Sequence, residues 1–107
     1  MNQIEKEYQS KAARPGDPPL LNAATAIQFI DECLTRGIEV LGFDAFRMLP
    51  DERLQPLLED TLDFEWQHLN GLTYSEKLQL AKSIVERRVG TDIVFEIVVK
   101  DEPPLSG

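Results

Sequence analysis

The chain has 107 residues, with 19 Asp and Glu against 11 Lys and Arg and a formal net charge of −8. That length accommodates one hydrophobic core and leaves no room for two. A pI near 4.5 argues against direct binding to nucleic-acid phosphates, which depends on clustered Lys and Arg.

Residues 1–22 read as an arm or flexible tail. Three prolines in the run 14–19 stop any helix there, because each lacks a backbone donor and fixes φ. One short helix around Ile4 and Tyr8 is conceivable before them. Asn22 is a candidate N-cap. Behind it Ala23, Ala26, Ile27, Ile30, Cys33 and Leu34 recur at helical spacing, and Gly37 suits the left-handed position that ends a helix. This predicts a first helix over about 23–36. Residues 38–49 are β-branched, aromatic and apolar and predict a strand, with Gly42 marking a bulge or a close backbone approach. Pro50-Asp51-Glu52 is turn chemistry, and 53–58 returns as a second strand. Pro56 assigns that strand to an edge.

Leu62, Phe64 and Trp66 alternate with Asp63, Glu65 and Gln67, which predicts a short half-buried strand ended by the Asn70-Gly71 turn. Thr73 and Glu76 form a capping box. Tyr74, Leu78, Ala81 and Val85 share one face of the helix that follows, with Lys77, Lys82, Glu86 and Arg87 on the other and Gly90 as its close. Ile93, Phe95, Ile97 and Val99 give the clearest strand, and 101–107 is a polar tail. The expected architecture is one α+β domain spanning 1–107, with two helices packed on a small, mainly antiparallel sheet of three to four strands.

The only cysteine, Cys33, excludes an intrachain disulfide and fits a reducing compartment. Residues 1–14 contain no apolar h-region, and no run approaches the roughly 18 apolar residues of a membrane helix. A cytoplasmic location without membrane contact is expected.

Catalytic chemistry finds little support. His68 is the sole histidine and cannot form a typical zinc site with one distant cysteine. Cys33 lies on the apolar face of the first helix and reads as core. Asp60 and Asp63 are near each other in sequence, while Asp92, Glu96 and Lys100 share one strand phase. The latter trio lacks the tight acid–x–lysine spacing of nuclease metal sites and reads more simply as a solvated face. No catalytic residue, metal or cofactor is assigned.

What stands out is charge. Residues 39–65 hold Glu39, Asp44, Asp51, Glu52, Glu59, Asp60, Asp63 and Glu65 against Arg47 and Arg53, a local charge of −6 within the total of −8. Such a segment attracts basic partners, although a solvated acidic surface is the plainer alternative. The expected partner contacts are Asp51, Glu52, Glu59, Asp60, Asp63, Glu65 and Trp66. Trp66 is included because aromatics anchor interfaces, whereas Phe64 and Tyr74 read as core.

Residues 38–47, Ile-Glu-Val-Leu-Gly-Phe-Asp-Ala-Phe-Arg, followed by a turn and Arg53-Leu54-Gln55-Pro56, resemble a strand–turn–strand signature of bacterial immunity proteins from polymorphic-toxin and contact-dependent growth inhibition systems. With the preceding helix, the resemblance spans about thirty residues and ends at Leu57. It implies an intracellular protein that binds one cognate toxin domain and blocks it; a monomer acting in a one-to-one complex is expected. Many such toxins are nucleases (RNase, tRNase or DNase) with basic grooves. The alternative is a small acidic adaptor or regulatory domain for another basic protein.

Overall fold

The computed structural model describes residues 2–101. Within them the elements run α1 (Gln3–Glu7), β1 (Leu21–Asn22), α2 (Ala23–Arg36), β2 (Val40–Met48), β3 (Leu54–Pro56), β4 (Leu62–Asp63), α3 (Tyr74–Glu86) and β5 (Ile93–Val99). Short 3₁₀ turns occupy Gln9–Lys11, Leu58–Asp60 and Gln67–Leu69. The architecture is α+β, with the two long helices packed on one antiparallel sheet.

The sheet has five strands rather than the three to four expected. The strand not expected is β1, two residues long and too short to show alternation in sequence, whereas β4 falls within the strand expected around Leu62–Gln67 but stops after two residues. β2 is central. It carries β5 along one edge, and β3 and β4 end to end along the other. β1 pairs with the far side of β5.

Local chemistry explains the boundaries of α2. The Asn22 side chain accepts from the Thr25 amide, and Gly37 takes φ 71° so that its N–H can close on the Cys33 and Leu34 carbonyls. At α3 the capping box forms as expected, with Thr73 and Glu76 each accepting from the other's backbone N–H. That helix ends at Glu86, four residues before Gly90. Gly90 instead supplies a positive φ within the turn leading to β5.

Strand alternation divides the sheet into two faces. Phe43, Ala45, Ile93, Phe95 and Ile97 point to the helices and are buried with Phe29, Ile30 and Cys33 of α2 and Leu78, Ala81 and Val85 of α3. Phe43 and Phe95 meet edge to face with ring centroids 5.4 Å apart. The other face presents Gly42, Asp44 and Phe46 of β2 opposite Val98, Glu96 and Val94 of β5.

The N-terminal arm is docked. Ile4 and Tyr8 are buried in the core, and the Tyr8 ring packs edge-on to Phe29 at 5.0 Å. Arg36 of α2 binds Glu7 of the arm as well as Glu32. The Arg36 hydrogen bond leads the lowering of the Glu7 pKa, while at Glu32 the Tyr8 hydroxyl hydrogen bond is the leading cause of the lowering. Further along, Arg14 donates to the Glu52 carbonyl in the β2–β3 turn. The polar tail expected over 101–107 lies outside the described residues after Asp101.

Candidate functional site: an acidic cleft on the open sheet face

The open face of the sheet holds a cleft of about 530 Å³, lined by Leu41 to Asp44 of β2, Thr61 to Asp63, Glu65, Trp66 and Val98. Three acids and no base line it. Its shape follows from Gly42. A register shift between Val40 and Gly42 bends β2, and Gly42 adopts φ 149°, a region that L-residues avoid. A Cβ there would overlap the Leu62 carbonyl oxygen. The missing side chain is what lets β4 close against β2.

The wall formed by 61–66 is fixed at several points. The Thr61 hydroxyl accepts from the Ala45 amide at 3.2 Å and donates to the Leu57 carbonyl at 2.9 Å. The Phe64 amide bonds to the Leu41 carbonyl at 3.0 Å, and Lys77 of α3 donates to the Phe64 carbonyl at 2.7 Å. Asp63 then turns the chain, because its carboxylate accepts the Glu65 amide at 2.8 Å. With Phe64 anchored in the core, Glu65 and Trp66 are presented on a braced turn. Trp66 keeps 36% of its surface exposed. His68, also exposed, lies against its ring with centroids 5.5 Å apart.

Asp44 at the cleft stands directly opposite Glu96 in the β2–β5 ladder. Like charges so placed repel. Partial burial first, and the Asp44 charge second, push the Glu96 carboxyl above its ordinary range. Several acids elsewhere are paired internally: Asp31 with Lys82, Asp51 with Arg53, Asp60 with Arg88, and Asp92 with Arg47. Among the described residues, Asp44, Asp63, Glu65 and Glu96 have no ion-pair partner. Three of these line the cleft and Glu96 stands beside it, opposite Asp44, while other acids without an ion pair, among them Glu52, Glu59, Glu76 and Glu86, lie elsewhere on the surface.

The seven residues expected as partner contacts are distributed unevenly. Asp63, Glu65 and Trp66 come together at the cleft. Asp51 and Glu52 lie at the β2–β3 turn, where Asp51 is held by Arg53 and Glu52 takes φ 69°. Glu59 is exposed on the 3₁₀ turn beside Leu58, itself 83% exposed. Asp60 is withdrawn. Its side chain is only 8% exposed and bonds to Arg88 at 2.8 Å, tying that turn to the end of α3. It offers no charge to a partner.

Trp66 does not continue the Leu62–Phe64 phase as a strand residue, because the Asp63 turn ends β4. Tyr74, read as core, is half-exposed. Its hydroxyl accepts from the Val40 amide at 2.8 Å, and its ring edges against Phe64. Cys33 is fully buried, as expected.

Asp44 and Glu96 were not in the expected contact set. Both lie on the polar phase of otherwise apolar strands, and that was the available signal. Asp92, Glu96 and Lys100 do not form a metal centre. Residues four apart along a strand are separated by about 13 Å, and Asp92 and Lys100 pair instead with Arg47 and Glu39. No cluster of three potential metal ligands occurs among the described residues, and no helix among them is long and apolar enough to cross a membrane. No protein-family model and no curated protein matches this chain.

Proposed function

We propose that this protein is a bacterial immunity protein. It binds and neutralises a cognate antibacterial toxin domain, a basic nuclease, as a monomer in a one-to-one complex in the cytoplasm. The observation that carries this reading is the cleft lined by Asp44, Asp63 and Glu65, with no base, beside a half-exposed tryptophan, and with Glu96 opposite Asp44 on the neighbouring strand. The resemblance of residues 38–47 and 53–56 to immunity proteins supports the same reading.

The mechanism follows from charge and rigidity. A nuclease groove evolved to hold phosphates is lined by Lys and Arg, so an acidic surface matches it in sign. Complementary fields raise association rates by about 10- to 1,000-fold and select against partners of the wrong sign. Residence time depends on desolvated anchors, and Trp66 is the large aromatic positioned for that task. Occupation of the groove, or of the surface beside it, then denies the toxin its substrate.

Co-expression with the C-terminal domain encoded immediately upstream tests the proposal. Restored growth together with recovery of a stable complex is the expected result. A non-toxic neighbouring domain, or toxicity without rescue, would shift the reading to an acidic adaptor for another basic protein.

A further inference from the structure

Resting on that reading, we infer that the cleft is a receptor for an arginine-bearing loop of the partner, with a guanidinium seated at Asp44, on the side where Glu96 stands opposite it on the neighbouring strand, and its stem laid against Trp66 and Val98. The cleft's 530 Å³ falls in the range of about 300–1,000 Å³ that encloses a drug-sized ligand, so it takes a short segment of chain rather than one isolated side chain. Its walls combine apolar surface with carboxylates, and no cation lines it. That combination fits a side chain with an apolar stem and a cationic head.

Arginine fits better than lysine for two physical reasons. Its planar guanidinium can address two acceptors at once, and Asp44 and Glu96 face each other across adjacent strands. It also stacks on aromatic faces and sheds water more readily than an ammonium, which suits a cleft walled by Trp66. Asp44 and Glu96 repel each other across the ladder beside the cleft, and burial holds the Glu96 carboxyl above its ordinary range. A guanidinium relieves both at once. The β2–β3 turn lacks these features, since Asp51 there is already engaged by Arg53.

The discriminating experiment needs no toxin. Short Gly-Ser peptides carrying two arginines are titrated into the isotopically labelled protein, and the same peptides with citrulline in place of arginine serve as the neutral isostere. Arginine peptides are expected to shift the Trp66 indole N–H and the Asp44 and Glu96 amides, with citrulline peptides at least about tenfold weaker, as removal of one member of a charge pair dictates. D44N/E96Q should lose the arginine preference, while E86Q, which alters an exposed acid at the end of α3, should keep it. Shifts confined to the β2–β3 turn, equal response to citrulline, or no response at millimolar peptide would overturn the inference. Growth rescue by D44N/E96Q equal to that of the parent protein would also overturn it while leaving the immunity reading intact. Arginine binding in the cleft without any rescue would contradict the immunity reading alone.

Discussion

Asp44 and Glu96 oppose each other across β2 and β5 with no base beside them, an arrangement that works against folding. The Glu96 pKa is raised in the folded chain, by burial and then by Asp44. Between the ordinary glutamate value and that raised value, the folded state holds more protons than the unfolded one. Stability from this group therefore declines as pH rises through the interval. Glu96→Gln is expected to stabilise the protein at neutral pH and to match the parent in acid, where Glu96 is already protonated. Denaturation curves across pH check this, and equal stability of the two proteins at neutral pH would contradict it. Glu7 and Glu32 act in the opposite sense. Their pKa values are lowered, so the stability they contribute is present above the ordinary range and lost as pH falls through the depressed values.

A second residue-scale feature is the Asp60–Arg88 pair. Asp60 Oδ2 and Arg88 Nε have no hydrogen-bond partner, so the buried carboxylate depends heavily on its one bond to Arg88. Arg88→Met should lower the denaturation midpoint more than Glu86→Gln, which removes an exposed charge. An unchanged midpoint would mean that water satisfies Asp60 in solution.

At the scale of elements, the fold was most legible where the signals are local. Asn22 and Gly37 bracket α2 at its observed ends, Thr73 and Glu76 begin α3, and Pro56 belongs to an edge strand, as its missing donor requires. Long-range features were not legible. That Glu96 faces Asp44 depends on strand register, and that Asp60 meets Arg88 depends on how the end of α3 approaches the Leu58–Asp60 turn. The docking of Ile4 and Tyr8 depends on Phe29, more than twenty residues away. Periodicity over Leu62–Trp66 suggested a longer strand because alternation cannot register the side-chain turn at Asp63 that ends it.

Two substitutions test the elements. Gly42→Ala forces a Cβ against the Leu62 carbonyl at a φ of 149° and should destabilise the protein by about 2 kcal/mol or more. Loss of amide protection at Leu62 and Asp63 would accompany it, whereas parental stability would show that β4 can separate from β2 at little cost. Ile4 is fully buried, so Ile4→Ala should cost about 2–5 kcal/mol if the arm belongs to the cooperative unit. A negligible change in the denaturation midpoint would instead mark the arm as an appendage.

At the scale of the whole molecule, the two sheet faces have separate tasks. One face is closed by the helices and docked arm, and it supplies stability. The other carries a cleft whose uncompensated acids weaken the isolated fold and suit a basic partner. A net charge of −8 does not by itself predict this division. What distinguishes the open face is a cleft lined by three acids and no base beside Trp66. If the field of that face steers association, the association rate should fall steeply as salt rises past a Debye length of about 10 Å at 0.1 M. A rate insensitive to salt would assign binding to shape and apolar contact.

The most direct measurement is growth rescue by two versions of this chain against the toxin domain encoded immediately upstream. One is the parent protein. The other carries Glu59→Lys, Asp63→Lys and Glu65→Lys, three exposed acids whose side chains form no internal ion pair, and is shown to be folded by circular dichroism. The account predicts that the parent restores growth and co-purifies with the domain, and that the reversed protein does neither because its affinity falls by orders of magnitude. Equal rescue by both, with equal affinity, would contradict it.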